Sequence, residues 1–265
     1  MRFTKLSGAF LLALAASASW LTTAGAVTLF DSSNILTGTG NGANGANTSS
    51  IASTSTTYGY SENSVGTSTI SLAEDFTLSS GSTVNLITFD AYSTSTYPAN
   101  PTSPFTGATV NIWNAQPGTA GAVILFTSST LATTAWTGIY RVTSTTLTNS
   151  QRPVFTLSVS FNNVALAAGN YWASWSVTSL VSPGVATSVF TPPLMNTDGT
   201  QPTGNAIQST TGGASWIALT DASTGVTNRL PLTVAGNVPE PGPMVWLSLA
   251  TVGTVLVVRR RRTVA

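Results

Sequence analysis

Cysteine and histidine are both absent from this chain, and lysine occurs once, at Lys5. Without cysteine no disulfide can hold the fold, so an apolar core must do it. Without histidine the commonest general base, the Ser-His-Asp arrangement and the commonest zinc ligand are all excluded. Charge is scarce as well, at 6% of residues. No basic stripe of the kind that nucleic-acid binding requires can be drawn. Catalysis would have to rest on carboxylates alone, and neither cofactor nor metal is expected.

The positive charge is concentrated at the ends. The opening segment, MRFTKLSGAFLLALAASASWLTTAGA, places Arg2 and Lys5 before an apolar stretch from Ala9 to Leu21 and closes on Ala24-Gly25-Ala26. A basic start, a short apolar middle and an A-x-A site describe a secretory signal peptide, with Ala24 and Ala26 read by signal peptidase. The apolar stretch is short for a permanent span of roughly 20 residues. Cleavage after Ala26 is predicted. Between Val27 and Asn237 there remain three arginines (Arg141, Arg152, Arg229) and seven acids (Asp31, Glu62, Glu74, Asp75, Asp90, Asp198, Asp221), a net of −4.

Residues 27–237 are long enough for one domain with a sizeable core. Residues 34–71 are rich in Gly, Asn, Ser and Thr, a composition that buries little apolar surface to offset its ordering entropy. They read as a loosely ordered loop behind a first strand, VTLF, or as an exposed O-glycosylated stretch. Strand patterns follow. ATVNIWNA and PVFTLSVSF alternate apolar and polar residues, and TVNLITFDAYS requires one bulge or face switch. AVILFTS is a continuous apolar run, while GNYWASWSV and SWIAL are aromatic. The spacers, such as NAQPGTAG and NTDGTQPTGN, are turn chemistry. No window shows a helical apolar period. Many short strands at regular spacing predict an all-β fold, an antiparallel, jelly-roll-like β-sandwich. The succession from Ser71 to Gly236, including the NIWNAQPG and LAAGNYW segments, resembles a module common in secreted bacterial proteins, which implies an adhesive or accessory domain without a named activity.

The acids offer little chemistry. Glu74 and Asp75 are adjacent, so in a strand they point to opposite faces. Asp198 and Asp221 sit in turn sequences, where Asp serves local hydrogen bonds. A calcium site around Asp198 would need several more oxygen ligands than the pattern supplies, and a glycosidase pair would need two acids converging in one cleft. The tryptophans are more suggestive. Indole faces stack on sugar rings, and Trp113, Trp172 and Trp175 are candidate glycan contacts. In YWASW, however, Trp172 faces opposite to Tyr171 and Trp175, so one set must be core.

The chain ends VPEPGPMVWLSLATVGTVLVVRRRRTVA. The two prolines of Val238-Pro239-Glu240-Pro241 hold the chain extended. Met244 to Val258 is then 15 residues without charge, roughly 22 Å as a helix at 1.5 Å per residue, short of a bilayer core of about 30 Å unless flanking residues extend it. Arg259, Arg260, Arg261 and Arg262 would hold the C-terminal side in the cytoplasm. Motif, apolar span, basic cluster and terminal position together resemble the PEP-CTERM sorting signal. That resemblance implies recognition of Pro239, Glu240 and Pro241 by an exosortase, a membrane transpeptidase-like enzyme, with loss of the tail near the motif. It also implies a Gram-negative host that makes an exopolysaccharide. The expectation is a non-catalytic exported protein, anchored transiently in the inner membrane by a short transmembrane helix and then delivered to the cell surface or extracellular matrix. The alternatives are a carbohydrate-binding module that uses strand aromatics and, further off, a secreted hydrolase.

Overall fold

Alternation in the strand sequences decides which faces meet. In the computed structural model, which describes residues 26–65, 68–94, 97–179 and 188–239, these faces close into two sheets. The larger runs in the order β1 (Val27–Ser32), β16 (Leu232–Asn237), β7 (Ser82–Ser93), β11 (Pro153–Leu166), β10 (Thr130–Thr143) and β2 (Asn47–Ile51). Short β13 (Val189–Thr191) also pairs β7 and carries β3 (Tyr60–Ser61). The smaller sheet runs β15 (Ile217–Ala218), β14 (Ile207–Ser209), β6 (Ser71–Leu78), β12 (Gly169–Ser179), β8 (Phe105–Trp113) and β9 (Ile124–Ser128). A two-stranded pair joins β4 (Ser64–Val65) and β5 (Ser68–Thr69). Apart from β2, which lies parallel to β10, these ladders are antiparallel. The only helical element among the described residues is one 3₁₀ turn, Ala43–Gly45.

The core lies between the sheets and is built from one parity of each strand. β11 contributes Phe155, Leu157, Val159 and Phe161, and β12 contributes Ala173, Trp175 and Val177. Rings meet across the interface: Phe89 stacks on Trp175 at 5.1 Å and Phe105 meets Phe155 edge-on at 5.6 Å. Beyond Phe161 the inward parity of β11 changes to Val164 and Leu166. Asn163, at φ 52°, lies between them, where the register against β7 shifts. Asn tolerates this left-handed conformation better than most residues. The irregularity expected in β7 lies opposite, where pairing with β16 passes from Leu86 directly to Val84.

One expectation is corrected. The described residues of 34–71 are not a loose loop: they supply β2, buried Ile35 and Ile51, and fully buried Thr48, Ser49 and Glu62. Polar tethers hold this segment where apolar area would not. Arg141, itself buried, donates from Nε to the Tyr58 carbonyl (2.8 Å), from Nη1 to Ser49 Oγ (2.8 Å) and from Nη2 to the Thr57 carbonyl (3.3 Å). Asp221 accepts from Ser55 Oγ and the Thr57 amide, and the Arg152 guanidinium lies 4.0 Å over the Tyr58 ring.

Both ends of the domain emerge together, since Val27 pairs with Gly236. Val238 and Pro239 follow as exposed residues. Among the described residues no helix is long and apolar enough to cross a membrane. Ala24, Glu240, Pro241, the apolar span and Arg259 to Arg262 lie outside the described residues.

Candidate functional site

The aromatic residues divide by strand parity. On β12, odd positions point into the sandwich and even positions point out. Trp175 is 1% exposed and stacks on Phe89, so it is corrected from glycan contact to core residue: no ligand reaches its faces. Trp172 points outward, directly opposite Trp113 on β8. Trp216 closes over them from the segment before β15, meeting Trp113 edge-on at 6.3 Å. The three indoles pack with Ala73 and Ile207 on the outer surface of the smaller sheet. Trp172 is the buried floor, and Trp113 and Trp216 are half-buried walls.

Hydrogen bonds fix the ring planes. Trp113 Nε1 donates to Ser174 Oγ (2.9 Å) and Trp216 Nε1 to the Gly213 carbonyl (3.2 Å). Asn111 extends the surface, donating to Ser174 Oγ at 3.3 Å and accepting from Thr127 Oγ1 at 2.8 Å. This arrangement of fixed, half-buried indoles beside hydroxyl and amide groups can take the C–H face of a sugar ring and its hydroxyl rim. Trp216, one of the aromatics that the sequence offers for sugar binding, joins Trp113 and Trp172 here. Its signal was the Gly212-Gly213 pair, both at positive φ (66° and 93°), in a turn that brings the indole back across the sheet.

Glu74, Asp75, Asp198 and Asp221 serve structure. Glu74 and Asp75 do point to opposite faces, the first fully buried. Both nevertheless reach one guanidinium, Arg229, at 3.3 and 3.6 Å. Burial pushes Glu74 up to about 8, despite the Leu230 amide and Arg229. Asp198 accepts from the Thr200 amide (2.9 Å) and hydroxyl (2.6 Å), which lowers its pKa. Asp221 is buried, which opposes its charge, yet hydrogen bonds from Ser223, Ser55 and the Thr224 amide outweigh that and hold it well below the usual carboxylate range. Both thus make the turn bonds expected of them. Among the described residues no three metal-ligating acids come together. Compared with family models, curated proteins and solved structures, the chain matches none.

Proposed function

We propose that this chain is a non-catalytic surface or extracellular-matrix protein, exported by its N-terminal signal and sorted through its C-terminal Pro-Glu-Pro tail by an exosortase-type enzyme. The observation that carries the reading is the tail itself: Val238-Pro239-Glu240-Pro241, 15 uncharged residues, then Arg259 to Arg262. The fold offers support, because the last strand ends at Asn237 and Val238 and Pro239 follow as exposed residues. An extended, proline-held segment directly after a folded sheet is accessible to a membrane enzyme. In this reading the Met244–Val258 helix anchors the chain transiently in the inner membrane until the tail is removed. The strand orders β1-β16-β7-β11 and β6-β12-β8-β9 support a jelly roll, with β10 and β2 added at one edge.

Mass spectrometry of the protein released at the surface of the parent bacterium tests the sorting. The expected C-terminus lies between Val238 and Gly242, and the expected N-terminus is Val27. An intact Ala265 on all of the exported protein would reduce the chain to a membrane-tethered sandwich.

The aromatic ledge of Trp113, Trp172 and Trp216 favours a second reading, binding of the exopolysaccharide into which such a protein is delivered. Trp216→Ala should weaken retention on the host polysaccharide while leaving the fold intact.

A further inference from the structure

The outer surface of the larger sheet carries a groove that none of the readings above uses. Its floor is a row of polar residues set side by side by strand register. Asp31 on β1 opposes Thr233 on β16, Thr233 opposes Thr88 on β7, and Thr88 opposes Ser158 on β11. Asp90, two residues beyond Thr88 and so on the same face, opposes Thr156. The row is internally bonded: Thr233 Oγ1 and Ser33 Oγ donate to Asp31 Oδ1 (3.3 and 2.6 Å), and Thr156 Oγ1 donates to Asp90 Oδ1 (2.8 Å). Above it stands an apolar wall of Ile35, Leu36 and Leu194, bounding a hollow of about 580 Å³. That wall is tied down by Asn34, whose carbonyl accepts from the Met195 amide (3.0 Å) and whose Nδ2 donates to the Met195 carbonyl (3.3 Å).

The groove has an excess of acceptors. Asp90 is 7% exposed and lines the hollow, yet only one of its oxygens has a protein donor among the described residues. Asp31 likewise uses one oxygen. Among the described residues no arginine reaches either, since Arg141 binds the 57–58 carbonyls, Arg152 covers Tyr58 and Arg229 pairs Glu74 and Asp75. A carboxylate oxygen that opens on the hollow without a protein donor suits a ligand that brings one. Two carboxylates without a cation disfavour an anionic ligand. Strand spacing sets Asp31 and Asp90 about 10 Å apart across the sheet and about 7 Å along it, room for one ring between them. An ammonium ion alone would leave the apolar wall and the threonine hydroxyls unused.

We propose that this groove binds an uncharged pyranose unit, its hydroxyls donating to Asp31 and Asp90 and its C–H face lying against Ile35, Leu36 and Leu194. The site lies on the opposite sheet from the aromatic ledge and does not depend on the sorting reading.

The test uses the full chain, expressed with its own signal in a host without the processing enzyme and purified in a detergent that carries no sugar headgroup. Calorimetric titrations with cellotetraose, laminaritetraose and mannotetraose are set beside tetragalacturonate as the anionic counterpart. At least one neutral tetraose should bind with a Kd below about 1 mM. Asp90→Asn and Asp31→Asn should each weaken it by roughly tenfold or more, the loss of one charge-assisted hydrogen bond, whereas Trp216→Ala should leave it unchanged. Asp31 is exposed, so its replacement keeps the test valid should Asp90→Asn disturb the fold. The proposal is overturned if no neutral tetraose binds, if tetragalacturonate binds as well as they do, if both Asp variants bind normally, or if Trp216→Ala alone removes binding.

Discussion

Residues 47–62 and residues 123–128 exchange the places that their compositions suggest. The first, NTSSIASTSTTYGYSE, is polar and low in complexity, yet Thr48, Ser49, Ile51 and Glu62 are buried. The second, VILFTS, is an apolar run with strong strand propensity, yet Val123, Ile124, Leu125 and Phe126 are 51, 47, 38 and 37% exposed. The difference is one of attachment. The polar segment runs parallel to β10 and is tied by Arg141 and Asp221. β9 closes one edge of the smaller sheet and, among the described residues, pairs only β8. Hydrophobicity ranks what burial is worth, but connectivity decides who is offered it.

The largest expected effect breaks the polar side of that comparison. Arg141→Met removes three donors at once: the Tyr58 carbonyl and the Ser49 hydroxyl lose theirs, while the Thr57 carbonyl keeps its bond from Gln201 Nε2 (3.3 Å). Buried polar groups stranded in this way cost on the order of 1–3 kcal/mol each, partly recovered by water, so a total loss of about 3 kcal/mol is expected in urea unfolding. Limited proteolysis should move to residues 52–62. Cleavage elsewhere first, or an unchanged unfolding midpoint, would mean that the segment is held by something other than the guanidinium.

A smaller effect is expected at Gly59. A Cβ there would lie 2.7 Å from Tyr92 Oη and 2.8 Å from the Thr191 carbonyl, too close without displacement of the strand. Gly59→Ala should cost about 2 kcal/mol through overpacking, whereas Gly121→Ala, with nothing nearby but φ at 82°, should cost only the roughly 1 kcal/mol of left-handed strain. Equal losses in thermal unfolding would show that crowding at Tyr92 is not what fixes this turn.

Acidity should act on the polar segment and leave β9 untouched, since no acid or arginine lies between Asp90 and Arg141. Glu62 is fully buried and its carboxyl is pushed well above the normal range, by burial first. The folded state therefore holds its proton more tightly than the unfolded state, so stability falls as pH climbs above about 4.3 towards the raised value. Asp221, held low, has the opposite sign: its contribution is complete above about 3.9 and is lost only as pH falls through its lower folded value. Amide exchange at residues 55–62 should accelerate on the order of tenfold between pH 5 and pH 8, beyond the intrinsic rate change. Glu62→Gln should remove most of that difference. An unchanged difference in the variant would assign the pH dependence to Asp90, which burial raises to about 7, or to Glu74.

The two segments also mark how far the sequence could be read. Alternation in PVFTLSVSF put Phe155, Leu157, Val159 and Phe161 on one face, and the same parity argument split Trp172 from Trp175. Local period is enough for such decisions because neighbouring residues face opposite sides of any strand. It does not say which face of which sheet becomes the interior, so Trp175 was still grouped with the exposed candidates. Nor did composition show the order in residues 34–71, because its causes, Arg141 and Asp221, lie 83 to 166 residues away for Tyr58 and Ser55. The Asp31–Asp90 groove was invisible for the same reason: its two acids are brought together only by β16, the last strand to be made.

The smallest effect on folding should come from the apolar side. Leu125 is 38% exposed on the edge strand of the smaller sheet, and single surface substitutions of this kind usually change stability by less than about 0.5 kcal/mol. Leu125→Lys should therefore leave the thermal unfolding midpoint within about 2 °C of the parent. Its effect should be intermolecular. An edge of four consecutive exposed apolar residues without charge or proline can pair with another copy, and one lysine is the usual natural block to such pairing. Light scattering against concentration should show less self-association in Leu125→Lys than in the parent, with Thr127→Lys, two residues further along the same strand, behaving similarly. If instead Leu125→Lys lowers the midpoint as far as Gly59→Ala does, the side chain is contributing to the core after all, and the contrast between the two segments would lose its apolar half.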